Sequence, residues 1–263
     1  MTAATFSARP VAAQRIGLVT AWKVERAKVR RSWFLGGAVI LSIFAQLLGV
    51  WNYTSNLAIM QEQGLTWFGV WAQGAILVTS IFLPILYGVI LAQAGALEHQ
   101  TRGWQRLASI DRAGTAVSGK MLVALELALT GMAVYLVTAV AAGLFLGFDP
   151  SQLGPYLARA LCGALGAWAV GAVTLMLGTW LRTFAAIASA ALGATMIGMG
   201  LTAAAPPLAA AYPFALITYG LGARAAGDEF ASIGSMAATA FISLIWVALS
   251  AWIMRSRVRR REW

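Results

Sequence analysis

The sequence predicts an all-α polytopic membrane protein with six transmembrane helices. Of its 263 residues, 60% are apolar and only 11% are charged, whereas soluble domains carry roughly 25% charged residues. Six stretches contain the roughly 20 mainly apolar residues that a helix needs to cross a bilayer. None of them shows the strict alternation of polar and apolar residues that is typical of barrel strands.

The predicted spans follow one another without a long polar insertion. They lie near residues 32–51, 71–94, 121–145, 157–180, 184–204 and 233–253. Since no linker rich in Pro or Gly divides the chain, we expect one transmembrane domain over residues 1–263. About thirty charged or mixed residues precede the first apolar stretch, so the sequence predicts a retained anchor rather than a cleavable signal peptide.

The basic residues predict the orientation of the spans. Seventeen of the 19 Lys and Arg residues fall before the first span, after even-numbered spans or in the C-terminal tail, and only Arg159 and Arg224 fall on the other side. The positive-inside rule therefore predicts a multi-pass protein of the cytoplasmic (inner) membrane with both termini in the cytoplasm. The net charge of +10 is then an orientation signal, and we expect no nucleic-acid partner. A single Cys and a single His exclude a disulfide framework and a Cys/His zinc site.

A basic helix is predicted over residues 14–31, directly before the first span. Four of its apolar residues share one face at helical spacing: Leu18, Ala21, Trp22 and Val29. Such a helix should lie in the membrane interface, either as a lipid anchor or as an elbow that helps to dock a cytoplasmic partner. Glu25 falls on the apolar side, where a carboxylate needs a nearby cation or backbone donor.

The segment between spans two and three, residues 97–120, is too long and too charged for a simple turn. It contains a glycine followed by an exposed-looking tryptophan, Gly103-Trp104, with arginines on both sides. Aromatic residues flanked by arginines are typical of protein-interface hot spots. A solvated loop with Trp104 resting on lipid headgroups is the alternative.

Two ordered motifs resemble the permease subunits of ABC-2-type transporters, which have six spans. The loop matches over Glu98-x4-Gly103-Trp104-x2-Leu107-x4-Arg112-x7-Lys120, and the N-terminal run Glu25-x2-Lys28-x2-Arg31-Ser32 resembles the bacteriocin, lantibiotic and bacitracin branch. Where many relatives have a proline before the arginine, this chain has Ile110-Asp111.

This resemblance implies that the loop forms a coupling helix against an ATPase subunit. The contact would include or border Glu98, Gly103, Trp104, Arg106, Leu107 and Arg112, with an elbow helix that includes Glu25, Lys28 and Arg31. No Gly-x4-Gly-Lys-Ser/Thr motif occurs in the sequence, so ATP and Mg²⁺ are expected on a separate ATPase subunit and no cofactor on this chain. The other expected partners are membrane lipids and a second permease subunit, in a homodimer or a heterodimer.

Two further features lie within or between the spans. Glu126 is the acid inside a predicted span, and it is either a structural ion pair with a basic residue or a group used in gating or substrate contact. Residues 206–230 are too polar and broken to span, and they predict a short external helix or a re-entrant segment.

The sequence thus favours a permease subunit of an ATP-driven exporter that moves an amphipathic compound, such as an antimicrobial peptide or a drug. A membrane scaffold or assembly factor that recruits a cytoplasmic partner is the main alternative. A membrane-embedded enzyme, for example a lipid-modifying transferase, is less favoured because few acids and one His are available near one interface.

Overall fold

The computed structural model describes residues 17–109, 112–225 and 228–260, and every regular element within these ranges is helical. The elements are α1 (Leu18–Ala27), α2 (Arg31–Ser55), α3 (Leu57–Glu62), α4 (Trp67–Leu77), a π-helical turn (Val78–Phe82), α5 (Leu83–Gln100), α6 (Gly103–Ser109), α7 (Ala113–Phe145), a 3₁₀ turn (Pro150–Leu153), α8 (Gly154–Leu177), α9 (Phe184–Ala204), α10 (Pro206–Ala209), a second 3₁₀ turn (Pro213–Ala215), α11 (Leu216–Gly220), α12 (Asp228–Ala231) and α13 (Ile233–Arg260).

Six helical stretches of this structure are long and apolar enough to cross a membrane. The second of them, Trp67–Gln100, is continuous because the π-helical turn joins α4 to α5. These stretches coincide with the six predicted spans, so the predicted fold class is confirmed. Several helices run beyond the predicted limits: α7 begins at Ala113 and α13 ends at Arg260. Hydropathy detects only the part of a helix that lies in the bilayer core, whereas the helix itself continues into the polar region.

The helix α8 lies at the centre of the bundle and packs against α5, α7, α11 and α13. Glycines allow this close packing. A Cβ atom at Gly166 would overlap the backbone of Leu216 in α11, and one at Gly220 would overlap the backbone of Cys162 in α8. Small residues of this kind let helix backbones approach closely in membrane proteins.

The described helices place their charged residues at two distinct ends of the bundle. One end, which we call the charged end, contains α1, α6, the α8–α9 turn and the last turns of α13. There Arg255 donates a hydrogen bond to Ser118 Oγ at 2.8 Å, and the Arg257 guanidinium lies 4.4 Å from the centre of the Trp180 ring. The opposite end contains α3, the α7–α8 connection and α10 to α12.

The segment between α9 and α13 folds back into the opposite end of the bundle. Leu216, Ile217 and Leu221 are completely buried. Thr218 Oγ1 lies 3.1 Å from Thr79 Oγ1 and 3.2 Å from Ser80 Oγ, both of which belong to the π-helical turn. The segment is therefore re-entrant, and it carries polar groups that meet the polar groups of the second span.

The helix α1 packs on α7 through the face that carries Ala21 and Glu25. Ala21 and Glu25 are buried, because the absence of a side chain at Gly119 lets α7 approach them closely. Leu18 is 51% exposed, whereas Trp22 and Val29 of the predicted apolar face are half-buried against the core. Residues 14–16 of the predicted elbow helix lie outside the described residues.

Candidate functional site at the charged end

The connection from α5 to α6 brings two residues of the loop motif into contact. Glu98 lies in the last turn of α5, and Arg102 then takes a left-handed backbone conformation with φ of 53°. This conformation reverses the chain, and α6 begins at the next residue, Gly103. A Cβ atom at position 103 would overlap Oε2 of Glu98. The motif therefore pairs a glycine with a carboxylate because only a residue without a side chain fits beside that carboxylate.

Four charged side chains from three helices form a closed arrangement that we call the four-charge ring. Its members are Glu25 and Lys28 from the α1 region, Glu98 from α5 and Lys120 from α7. Lys120 Nζ donates to Glu25 Oε2 at 2.6 Å and to Glu98 Oε1 at 2.7 Å. Lys28 Nζ donates to Glu25 Oε1 and to Glu98 Oε1, both at 2.7 Å. Each carboxylate thus lies between two ammonium groups.

The four-charge ring is largely removed from solvent. Glu98 and Lys120 are each 2% exposed and Glu25 is 5% exposed. Burial acts to lower the pKa of Lys28, but its hydrogen bonds to Glu25 and Glu98 and their negative charges together raise that pKa above its ordinary value. Lys28 is therefore charged at neutral pH. Separating the members would leave uncompensated buried charges, which is costly. Because the members come from α1, α5 and α7, the ring holds these three helices together.

Trp104 is also part of the packed interior. It is 2% exposed, and Lys120 Nζ lies 5.5 Å from the centre of its ring. The prediction of an exposed tryptophan is wrong, because the indole packs into the bundle core beneath the four-charge ring. The flanking arginines, on which the predicted interface was based, are exposed and face away from the bundle core. Trp104 and Glu98 therefore hold α6 through buried contacts, and they are not part of its accessible surface.

The accessible surface of α6 consists of other residues of the motif region. Arg102, Gln105 and Arg106 are exposed, while Gly103, Leu107 and Arg112 are half-buried. Leu107 and Arg112 border a small crevice of about 70 Å³ between α1 and the α6–α7 region. The departure at Ile110-Asp111 lies outside the described residues. This end of the molecule therefore presents a short helix with exposed Arg102 and Arg106 that is held in place by buried contacts.

Glu126 belongs to a second ion cluster that fastens α1 and the start of α2 to α7. Its Oε1 accepts from Arg26 Nε at 2.8 Å and from Arg31 Nη1 at 3.3 Å, and its Oε2 accepts from Trp22 Nε1 at 3.0 Å. Its side chain is 21% exposed. The structure thus places Glu126 one to two helical turns from Lys120, beside the basic residues of the elbow region.

The predicted site residues therefore divide into three groups. The ring unites Glu25, Lys28 and Glu98, and the second cluster unites Arg31 with Glu126. The third group is α6 and the residues after it, with Gly103, Trp104, Arg106, Leu107 and Arg112. Sequence reasoning did not place Lys120 in the site, although the buried carboxylate of Glu25 required a cation. Among the described residues, no group of three His, Cys, Asp or Glu side chains is arranged to hold a metal ion.

Comparison with known families places this geometry in context. A family model described as "ABC-2 family transporter protein" matches residues 21–199. The match covers more than half of the chain, from α1 into α9, and includes all four members of the ring and the whole of α6. No curated protein matches this chain.

Proposed function

The chain belongs to the ABC-2 family of transporter proteins and is a multi-pass permease subunit, and we propose that it is part of an exporter driven by an ATPase on a separate polypeptide. A permease of this family is a transport component rather than the catalytic subunit. The exporter assignment rests on the resemblance of its loop and N-terminal motifs to that group of transporters.

In this proposal the charged end faces the cytoplasm. In the part of the chain that the structure describes, the Lys and Arg residues other than Arg159 and Arg224 fall in segments that meet at this end, and the positive-inside rule assigns such an end to the cytoplasmic side. Both chain termini would then be cytoplasmic. The exposed face of α6 would meet the ATPase subunit directly.

The observation that best supports this role is the rigid attachment of α6 to three other helices. Gly103 begins α6 against the Glu98 carboxylate, and Trp104 packs beneath Lys120. A displacement of α6 is therefore transmitted to α5 and α7, because the buried charges of the ring cannot separate at low cost. ATP-driven closure of the partner would shift the spans as rigid bodies between two states.

The proposed substrate is an amphipathic compound, with an antimicrobial peptide or a drug-like molecule as the favoured class. Support comes from the N-terminal run Glu25-x2-Lys28-x2-Arg31, which resembles the bacteriocin, lantibiotic and bacitracin branch. We further propose that two permease subunits act together in the membrane with two ATPase subunits. Both a homodimer and a heterodimer are compatible with the described surfaces.

Copurification with a candidate ATPase that carries a Walker A motif tests this proposal. Arg106→Glu reverses an exposed charge on α6, so it should weaken copurification and lower the stimulation of ATP hydrolysis by the permease. Arg182→Glu is the matched control, since Arg182 is exposed at the same end but in the α8–α9 turn. Equal stimulation by the wild type and Arg106→Glu would contradict α6 as the coupling contact, and failure to bind any ATPase would favour the scaffold alternative.

A further inference from the structure

The opposite end of the bundle contains a cavity of about 270 Å³ between α8, the re-entrant segment and the start of α13. Polar and charged side chains contribute much of its lining: Arg159, Thr218, Tyr219, Arg224, Glu229 and Ser235. Arg224 and Glu229 are exposed, whereas Arg159 is 1% exposed. The cavity therefore connects the surface with a fully buried guanidinium.

Neutral acceptors surround the buried guanidinium of Arg159. Its Nε donates to Phe230 O at 2.9 Å, its Nη1 to Tyr219 O at 3.3 Å, and its Nη2 to Glu229 O and Ser235 Oγ, both at 2.8 Å. Within the described ranges, no carboxylate forms an ion pair with it. Buried charges are normally paired with an opposite charge. Among the described residues, the Glu229 carboxylate in the same cavity favours the charged form of Arg159 but forms no direct ion pair with it.

Arg224 brings a second positive charge to the same cavity. Its Nη1 donates a hydrogen bond to Thr202 O at the end of α9, which holds the guanidinium beside the cavity. In the described part of the chain, Arg159 and Arg224 are the two Lys or Arg residues that lie away from the charged end. Their position at the opposite end is an exception to the charge distribution of the rest of the chain. Both of them line the same cavity.

We propose that this cavity binds a phosphate-bearing anion, supplied either by a phospholipid headgroup or by a free phosphate compound. Guanidinium groups bind phosphate oxygens through charge-assisted hydrogen bonds. Pockets for drug-sized ligands usually enclose about 300–1,000 Å³, so this cavity fits a small anionic group better than a large molecule. Arg159 lies five residues after the first residue of α8, about 8 Å along the helix, which is near the end of the bundle.

Glu229 gives this proposal an internal test because it is the acid that lines the cavity in the described residues. Its backbone oxygen accepts from Arg159, so a change of the side chain leaves that hydrogen bond in place. Removing the negative charge of Glu229 should strengthen binding of an anion. Removing the positive charge of Arg224 should weaken it. A purely structural role for these residues does not predict opposite effects.

The experiment measures the thermal unfolding midpoint of the purified full chain in a neutral detergent. One arm titrates inorganic phosphate against sodium chloride at equal ionic strength, and a second compares micelles doped with phosphatidylglycerol or with diacylglycerol. A ligand that binds only the folded state raises the midpoint. A response to inorganic phosphate identifies a free phosphate compound as a source, and a response confined to phosphatidylglycerol identifies the lipid headgroup.

The variants decide whether the cavity is the site. Arg224→Gln should raise the apparent dissociation constant about tenfold, the loss expected for one charge-assisted hydrogen bond, and Glu229→Gln should lower it. Lys23→Gln and Glu62→Gln are the controls, since both residues are exposed and neither lines the cavity. The proposal is overturned if neither probe raises the midpoint, or if Arg224→Gln and Lys23→Gln respond alike.

Discussion

Gly103 lies directly against the carboxylate of Glu98, and a Cβ atom at position 103 would occupy the place of Oε2. The same carboxylate accepts hydrogen bonds from Lys28 and Lys120 through Oε1. One carboxylate therefore joins the start of α6 to the four-charge ring. This relationship gives a physical reason for the glycine of the loop motif and leads to the first prediction.

Gly103→Ala should destabilise the protein and uncouple α6. The added methyl group forces Glu98 away from its two lysines or shifts α6, and overpacking of this kind costs about 1–3 kcal/mol. We expect a lower unfolding midpoint and weaker stimulation of the partner ATPase. Gly114→Ala is the control, because the nearest atom to its Cβ would be Arg259 Nη2 at 3.6 Å, an ordinary contact. Equal midpoints for the two variants would contradict the role assigned to Gly103.

Lys120→Met should lower the stability of the protein more than the loss of any exposed lysine does. It leaves Glu25 and Glu98 buried with Lys28 as their remaining partner in the ring, and breaking a buried ion pair typically costs about 3–5 kcal/mol. Adding Glu25→Gln to Lys120→Met removes one of the stranded charges and should restore part of the stability. Thermal unfolding of both single variants and the double variant gives the coupling energy. Additive effects would show that the two side chains act independently.

The six spans could be predicted from the sequence because the bilayer imposes a simple requirement on length and composition. The four-charge ring could not, since Glu25 and Lys120 are far apart in the chain and meet only when α1 packs on α7. What the sequence did supply was the need for a cation near Glu25, because a carboxylate on an apolar face must be compensated.

Trp104 shows why local composition misleads about exposure. Its neighbours Arg102, Gln105 and Arg106 are exposed, and they made the whole segment resemble an interface. On a helix, however, adjacent positions point in different directions. Position 104 faces the bundle while positions 102, 105 and 106 face away from it.

The sequence also identified Arg159 and Arg224 as unusual cations, but only the fold brings them to one cavity.

Glu126→Gln should loosen α1 without preventing transport. The substitution removes the charge that attracts Arg26 and Arg31 but keeps an oxygen that can accept from Trp22 Nε1. Because this cluster is partly exposed, the loss of stability should stay below about 1 kcal/mol. Hydrogen exchange of the α1 amides should become faster than in the wild type. Loss of transport with unchanged exchange in α1 would instead assign Glu126 to gating or substrate contact.

The orientation of the bundle can be tested by labelling single cysteines with a membrane-impermeant maleimide. The native Cys162 is buried, so Cys162→Ser provides a background free of thiols. In that background Glu62→Cys places a thiol at an exposed position of the opposite end, and Ser109→Cys places one at an exposed position of the charged end. We expect Glu62→Cys to react in intact cells and Ser109→Cys to react only after permeabilisation, since a cytoplasmic thiol is shielded by the membrane. The reverse pattern would place α6 outside the cell, where no ATPase could drive it, and would contradict both the orientation and the coupling role.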